Sequence, residues 1–212
     1  MKGFGGWYLR LGEWALNLFL LNLLWIIFSM LGLFIVGIFP ATVALFAVMR
    51  KLTMESKEVP VFKLFWTTYK REFVKANIIG YAWSLIGFVL YIDLRVLNQL
   101  DSSLLNQLFT FGLYMIIAAY LVTLLYLFPI FVHFNLKKRE YFKYAIILTI
   151  GRPIQSIMLI IGLTVGLFIL WRVPGLIPVF GMSFISLLVM KIASISFPKL
   201  DNPTAVKIDH PV

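Results

Sequence analysis

The sequence predicts an all-α, polytopic transmembrane bundle. Three observations carry that prediction. Of 212 residues, 61% are hydrophobic and only 13% charged, against about 45–50% apolar and about 25% charged in an ordinary soluble domain. Two runs, Trp14–Met49 and Ser102–Leu136, hold 36 and 35 residues without a charge, and about 20 apolar residues suffice to cross a bilayer core as helix. The runs are continuous and do not alternate, so helices rather than a closed barrel must satisfy the backbone in lipid.

Uncharged blocks lie at 14–49, 76–92, 102–136, 153–171 and 173–190. The first is too long for one simple span, since 36 helical residues extend about 54 Å. Gly37 and Pro40 offer a breaking point, because proline removes a helical donor and is favoured in the first turn of a new helix. The chain is therefore read as a helical hairpin, 14–36 and 40–52, followed by spans at 76–92, 104–134, 153–171 and 173–190. This makes six helices in one integral membrane domain, with a polar tail at 197–212. The alternative is five spans with a kinked first helix. Pro129, a further candidate helix break within 102–136, supports it, since Phe128-Pro129 before a basic cluster parallels Phe39-Pro40 before Arg50-Lys51. The apolar stretch after Lys2 and Arg10 is longer and bulkier than a cleavable signal, and is expected to be retained.

Basic residues number seven in 50–75, one in 93–101, five in 137–152, one between the last two spans and three in the tail. Cytoplasmic loops carry such an excess. Segments 50–75 and 137–152 and both termini are thus expected in the cytoplasm. The clusters Arg50, Lys51, Lys63, Lys70 and Arg71, with Lys137, Lys138 and Arg139, would meet anionic headgroups. They account for the net charge of +10 without invoking nucleic acid.

Within 61–75, Phe62, Phe65, Trp66, Tyr69 and Phe73 fall within about 100° of a helical wheel, with Lys63, Lys70 and Arg71 elsewhere. This predicts a cytoplasmic amphipathic helix, lying on headgroups, packed on the bundle as an elbow, or docking a partner. Gly162 and Gly166 form a GxxxG pair, a packing signal within a membrane bundle. Asn17 and Asn22 lie about 140° apart on the first helix, each expected to bond a neighbouring helix.

Chemistry-bearing patterns are sparse. No cysteine is present. No carboxylate lies well inside a span, where ion-coupled carriers place them. His133 reads as an interfacial side chain, and His210 lies in the tail. Neither a metal-ligand cluster nor a phosphate-binding GxxxxGK[ST] loop occurs. Trp7, Tyr8, Trp14, Trp66, Tyr91, Trp171 and other aromatics near span ends read as an interfacial belt. No enzyme, cofactor or metal site is expected.

The stretches "LNLLWIIFSMLG", "FPATVALFAVMRKL", "VPVFKLFWTTYKREFVKANIIG" and "LFPIFVHFNLKKREYFKYAIILTIGRPI" together resemble the YesL-like family of bacterial membrane proteins, from about Gly12 to Lys191. Pro40-Ala41-Thr42, Arg50-Lys51 and Phe65-Trp66 are the most specific points. That family more usually has glycine directly before the proline, where this chain has Phe39. The resemblance implies the bacterial cell membrane and a non-enzymatic accessory role beside ATP-driven carbohydrate importers. It implies permease subunits as partners and carries over no catalytic residue. The loop by which importer permeases usually engage their ATPase is not recognisable here. Alternatives are an independent lipid-interacting or scaffolding protein and, less favoured, an autonomous small-solute carrier.

Overall fold

A computed structural model describes residues 4–54, 59–100 and 103–197, with side chains described from residue 12 onward. Its described residues form helices α1 (Phe4–Leu31), α2 (Ile38–Met54), α3 (Val61–Leu97), α4 (Leu104–His133), α5 (Lys138–Gly151), α6 (Pro153–Arg172) and α7 (Leu176–Ser196). Five are long and apolar enough to cross a membrane: α1 from Gly12, α3, α4, α6 and α7. The sixth expected membrane helix, α2, does form, but with 17 residues it spans only about 25 Å.

The first uncharged block breaks into two helices joined by a turn, and not into one kinked helix. The turn lies earlier than Gly37–Pro40. Helix α1 ends at Leu31, and Leu33 and Phe34 take left-handed backbone angles, φ 52° and 59°. Leu33 N donates to Met30 O and Phe34 N to Ser29 O, both at 2.8 Å, the two bonds of a Schellman cap. Left-handed backbone costs a bulky residue about 1–2 kcal/mol, so surrounding contacts must hold it. They come from α3, where Asn77 Nδ2 donates to Val36 O at 3.0 Å and Tyr81 Oη to Ile35 O at 2.8 Å. Glycine is needed here for proximity: a Cβ on Gly32 would stand 2.4 Å from the Cα of Gly37. Pro40 sits in the first turn of α2, where its missing N–H leaves nothing unpaired. Trp25 Nε1 donates to Thr42 Oγ1 at 3.0 Å across the hairpin.

Helix α2 is the centre of the molecule. Residues Pro40 through Phe46 are all buried, as are Val48 and Met49, and α2 packs against α1, α3, α4 and α7. Two glycines of α3 receive aromatic rings. A Cβ on Gly80 would meet the Phe39 ring at 2.3 Å, and one on Gly87 would meet Tyr120 Oη at 2.5 Å.

Two departures from the sequence reading concern connections. The expected amphipathic helix and the 76–92 span are one unbroken α3 of 37 residues, since no Gly or Pro interrupts the chain from Val61 to Ile79. The basic segment 137–152 contains α5, started by Glu140, whose Oε2 accepts from Lys137 N at 2.9 Å. Pro129 does not break a helix as expected: it is buried inside α4, which runs through it to His133. The last span is shifted, Leu176–Ser196 in place of 173–190. Most of the polar tail lies outside the described residues.

Buried polar side chains of the bundle are amides and hydroxyls, bonded mostly to backbone and in places to one another. Asn22 Nδ2 donates to Pro178 O at 2.7 Å, while its Oδ1 accepts from Met182 N at 2.9 Å. One side chain thus brackets a donor and an acceptor one helical turn apart on α7. Tyr126, Ser156 and Ser196 tie α4, α6 and α7 together, with Tyr126 Oη 3.1 Å from Ser196 Oγ.

Candidate functional site

A concavity lies at the basic end of the bundle. It is a cleft of about 640 Å³ between α2, the N-terminal part of α3 and the connection from α4 to α5. Arg50 and Lys51 come from the last turns of α2. Lys63, Arg71 and Lys75 come from α3, and Phe131, Val132, Phe134, Asn135 and Tyr141 close the far side. Five cations thus line the cleft, and the carboxylate among its described lining residues, Glu72, is engaged by Arg71 Nε at 2.8 Å.

Helical geometry explains the clustering. Arg71 and Lys75 are four residues apart and share one stripe of α3. Lys63, two turns earlier, falls near the same face. Helix α2 packs against this stretch of α3 and delivers Arg50 and Lys51 to the opposite wall. Arg50 Nη1 approaches Val132 O at 3.5 Å.

Tyr141 is the pivot of the far wall. It is 1% exposed. Its hydroxyl accepts from Lys75 Nζ at 2.9 Å and from Leu136 N at 3.1 Å, and donates to Phe134 O at 3.0 Å. The Lys75 ammonium also lies 5.0 Å from the Phe131 ring centroid and 4.7 Å from that of Tyr141. One phenol therefore orients a cation and fixes the α4–α5 connection.

The sequence-predicted residues divide among several places. Arg50, Lys51, Lys63 and Arg71 meet at the cleft. Lys70 instead stacks on Trp66, its Nζ 4.0 Å from the ring centroid. Lys137, Lys138 and Arg139 are exposed at the start of α5 and do not line the cleft. The aromatic face of 61–75 splits as well. Phe65 and Tyr69 are buried and pack with Phe28 at 5.3 and 4.9 Å between centroids. Phe62 and Trp66 remain 59% and 37% exposed. Gly162 and Gly166 face α7, where Cβ atoms would meet Ile192 Cδ1 at 2.5 Å and Leu188 Cδ1 at 2.7 Å. His133 packs its ring against Phe134 and Phe197 at 4.7 and 4.5 Å. Lys75 and Tyr141 were not singled out from sequence as partners. The i, i+4 spacing of Arg71 and Lys75 could have signalled the first, whereas a contact 66 positions away leaves no local trace.

No cluster of three or more His, Cys, Asp or Glu able to hold a metal ion occurs among the described residues. The cleft is suited to holding an anion by hydrogen bonds and charge.

Comparison with known proteins places this chain. A family described as "Protein of unknown function, DUF624" matches residues 18–94. The uncharacterized protein YteU of Bacillus subtilis (strain 168) is 41% identical over 188 residues, covering 88% of this chain and 83% of YteU. Two proteins of the same organism follow the same pattern. YesV is 36% identical, covering 85% of this chain and 86% of YesV. YesL is 33% identical, covering 89% and 88%. The chain belongs to the YesL-like family. No solved structure matches it. The family match, residues 18–94, takes in the second half of α1, all of α2 and most of α3, and so all five cleft cations, Arg50, Lys51, Lys63, Arg71 and Lys75.

Proposed function

We propose that this YesL-like protein is a non-enzymatic accessory component of an ATP-driven carbohydrate importer in the bacterial cell membrane, with both termini in the cytoplasm. One geometric observation supports a partner at the basic end. Phe62 and Trp66 stay exposed on the N-terminal turns of α3, flanked by Lys63 and Lys70, whereas Phe65 and Tyr69 on the same stripe are spent on the bundle's own core. Exposed aromatic residues beside cations are the side chains that protein interfaces favour as anchors. The family resemblance supplies the class of partner, the permease subunits of a sugar importer. Placing this end in the cytoplasm follows from its excess of Lys and Arg.

The test is purification in mild detergent from cells with abundant importer subunits, followed by identification of co-purifying chains. Importer permeases should accompany the wild type and be lost from Phe62→Ser/Trp66→Ser. Recovery of the protein alone sinks this reading.

The cleft favours a second reading, an independent lipid-interacting or scaffolding protein. In that case Lys63→Gln/Lys70→Gln/Arg71→Gln impairs the cellular role while sugar uptake continues at its normal rate. An autonomous solute carrier receives less support, because the buried polar residues described are Asn, Ser and Thr, which do not titrate with a coupled ion.

A further inference from the structure

We propose that the basic cleft holds the phosphate of an anionic membrane lipid, its acyl chains lying along one exposed stripe of α3. The inference deepens the lipid-interacting reading above and rests on three features found together.

The first is charge. Lys63, Arg71 and Lys75 converge from α3 on one cavity, opposite Arg50 and Lys51 of α2, and among its described lining residues the carboxylate, Glu72, pairs with Arg71. An anion there can accept charge-assisted hydrogen bonds from several donors at once. Arginine adds a planar fork and lysine a mobile point charge, both of which suit phosphate oxygens.

The second is size. About 640 Å³ falls within the range of roughly 300–1,000 Å³ typical of small-ligand sites, enough for a phosphodiester and its glycerol.

The third identifies the source of the phosphate. Arg71, Val74, Lys75, Ile78 and Leu85 follow the spacing that keeps residues on one face of a helix, and α3 is unbroken throughout. Arg71 and Lys75 line the cleft, while Val74, Ile78 and Leu85 are 67%, 45% and 63% exposed. Passing along α3, the stripe changes from cations to uncovered apolar side chains. A soluble phosphate has no use for that continuation. An amphiphile with an anionic head and hydrocarbon tails matches both halves.

Native mass spectrometry of the full chain in neutral detergent tests this, using phosphatidylglycerol and phosphatidylcholine with the same acyl chains. Wild type should retain phosphatidylglycerol in preference to phosphatidylcholine. Lys63→Gln/Arg71→Gln should weaken that retention about thirtyfold. Lys138→Gln/Arg139→Gln, which removes the same charge outside the cleft, should leave it unchanged, and Lys63→Arg/Arg71→Lys should restore most of it. Equal retention of the two lipids by the wild type overturns the proposal, whatever the variants do. Equal weakening by both Gln pairs overturns it too, since a diffuse basic surface then explains the preference. Displacement of phosphatidylglycerol by inorganic phosphate or glycerol phosphate at matched concentration overturns the lipid source and assigns the cleft to a soluble phosphate. If binding follows the expected pattern but the triple Gln variant has no cellular effect, the lipid-based function fails and the site stands.

Discussion

Helices α2 and α6 are both oily, yet they live in different solvents. Nine residues of α2 are buried in its 17, whereas four of the 20 in α6 are. Helix α2 meets protein on every side. Helix α6 meets α7 mainly and leaves Ile157, Ile161, Val165 and Phe168 exposed, the pattern of a helix turned to hydrocarbon. Composition does not separate them, because lipid tails and a protein interior are equally apolar. What separates them is tolerance: protein neighbours are fixed at close-packed density, whereas lipid rearranges around a changed side chain.

The largest expected effect therefore lies where α2 meets α3. Gly80→Val forces a side chain into the Phe39 ring, which already stands 2.3 Å from where its Cβ would be. Overpacking a filled core costs about 1–3 kcal/mol and sometimes more. The variant should lose most of its monodisperse yield in detergent gel filtration. Phe39→Gly, which supplies the residue more usual in this family before the proline, should restore it in the double variant. No recovery would mean that the two helices are not in this register.

Next in size is Asn22. Its amide bonds Pro178 O and Met182 N, so Asn22→Leu removes two hydrogen bonds between α1 and α7. Each is worth about 0.5–1.5 kcal/mol net, to be read as a lowered midpoint of thermal unfolding in detergent. The contrasting change on α6 is Thr164→Val. Thr164 is exposed, and its hydroxyl only returns to Ile160 O at 2.8 Å, so the midpoint should barely move. Tyr141→Phe comes third. Its hydroxyl accepts from Lys75 and Leu136 N and donates to Phe134 O. Losing it should cost about 1–2 kcal/mol and raise protease cutting between α4 and α5.

These differences mark where the sequence could be read. Composition and the uncharged runs specified an all-α membrane bundle, because solvent alone sets that requirement. The break in the first run was legible from Gly37 and Pro40, but its position was not. The left-handed residues are Leu33 and Phe34, types that avoid such backbone, and they are held by Asn77 and Tyr81 from a helix more than 40 positions later. The continuity of α3 was hidden by its composition. Charge falls sharply after Lys75, which reads as a boundary, yet nothing in the backbone stops a helix there. Part of the cleft was visible as Arg50, Lys51, Lys63 and Arg71. Their convergence on one side, with Lys137–Arg139 left outside, depends on how α2 crosses α3, which is a property of packing and leaves no local pattern.

The smallest effect belongs to the GxxxG pair on α6, and it sharpens the contrast best. A Cβ at Gly162 or Gly166 would also meet atoms at under 3 Å, but these are the terminal methyls of Ile192 and Leu188. Such tips can rotate away, unlike the Phe39 ring wedged between α2 and α3. Replacing glycine by alanine in a helix also gains about 1 kcal/mol of propensity. The two terms nearly cancel, so Gly162→Ala should shift the unfolding midpoint by only a degree or two in either direction, roughly 0.5 kcal/mol or less. Because this face is turned toward α7 within the same chain, the substitution should also leave the oligomeric state unchanged by light scattering. A loss of stability as large as that of Gly80→Val would show that α6 is gripped as firmly as α2, and the distinction between protein-solvated and lipid-solvated helices would fail.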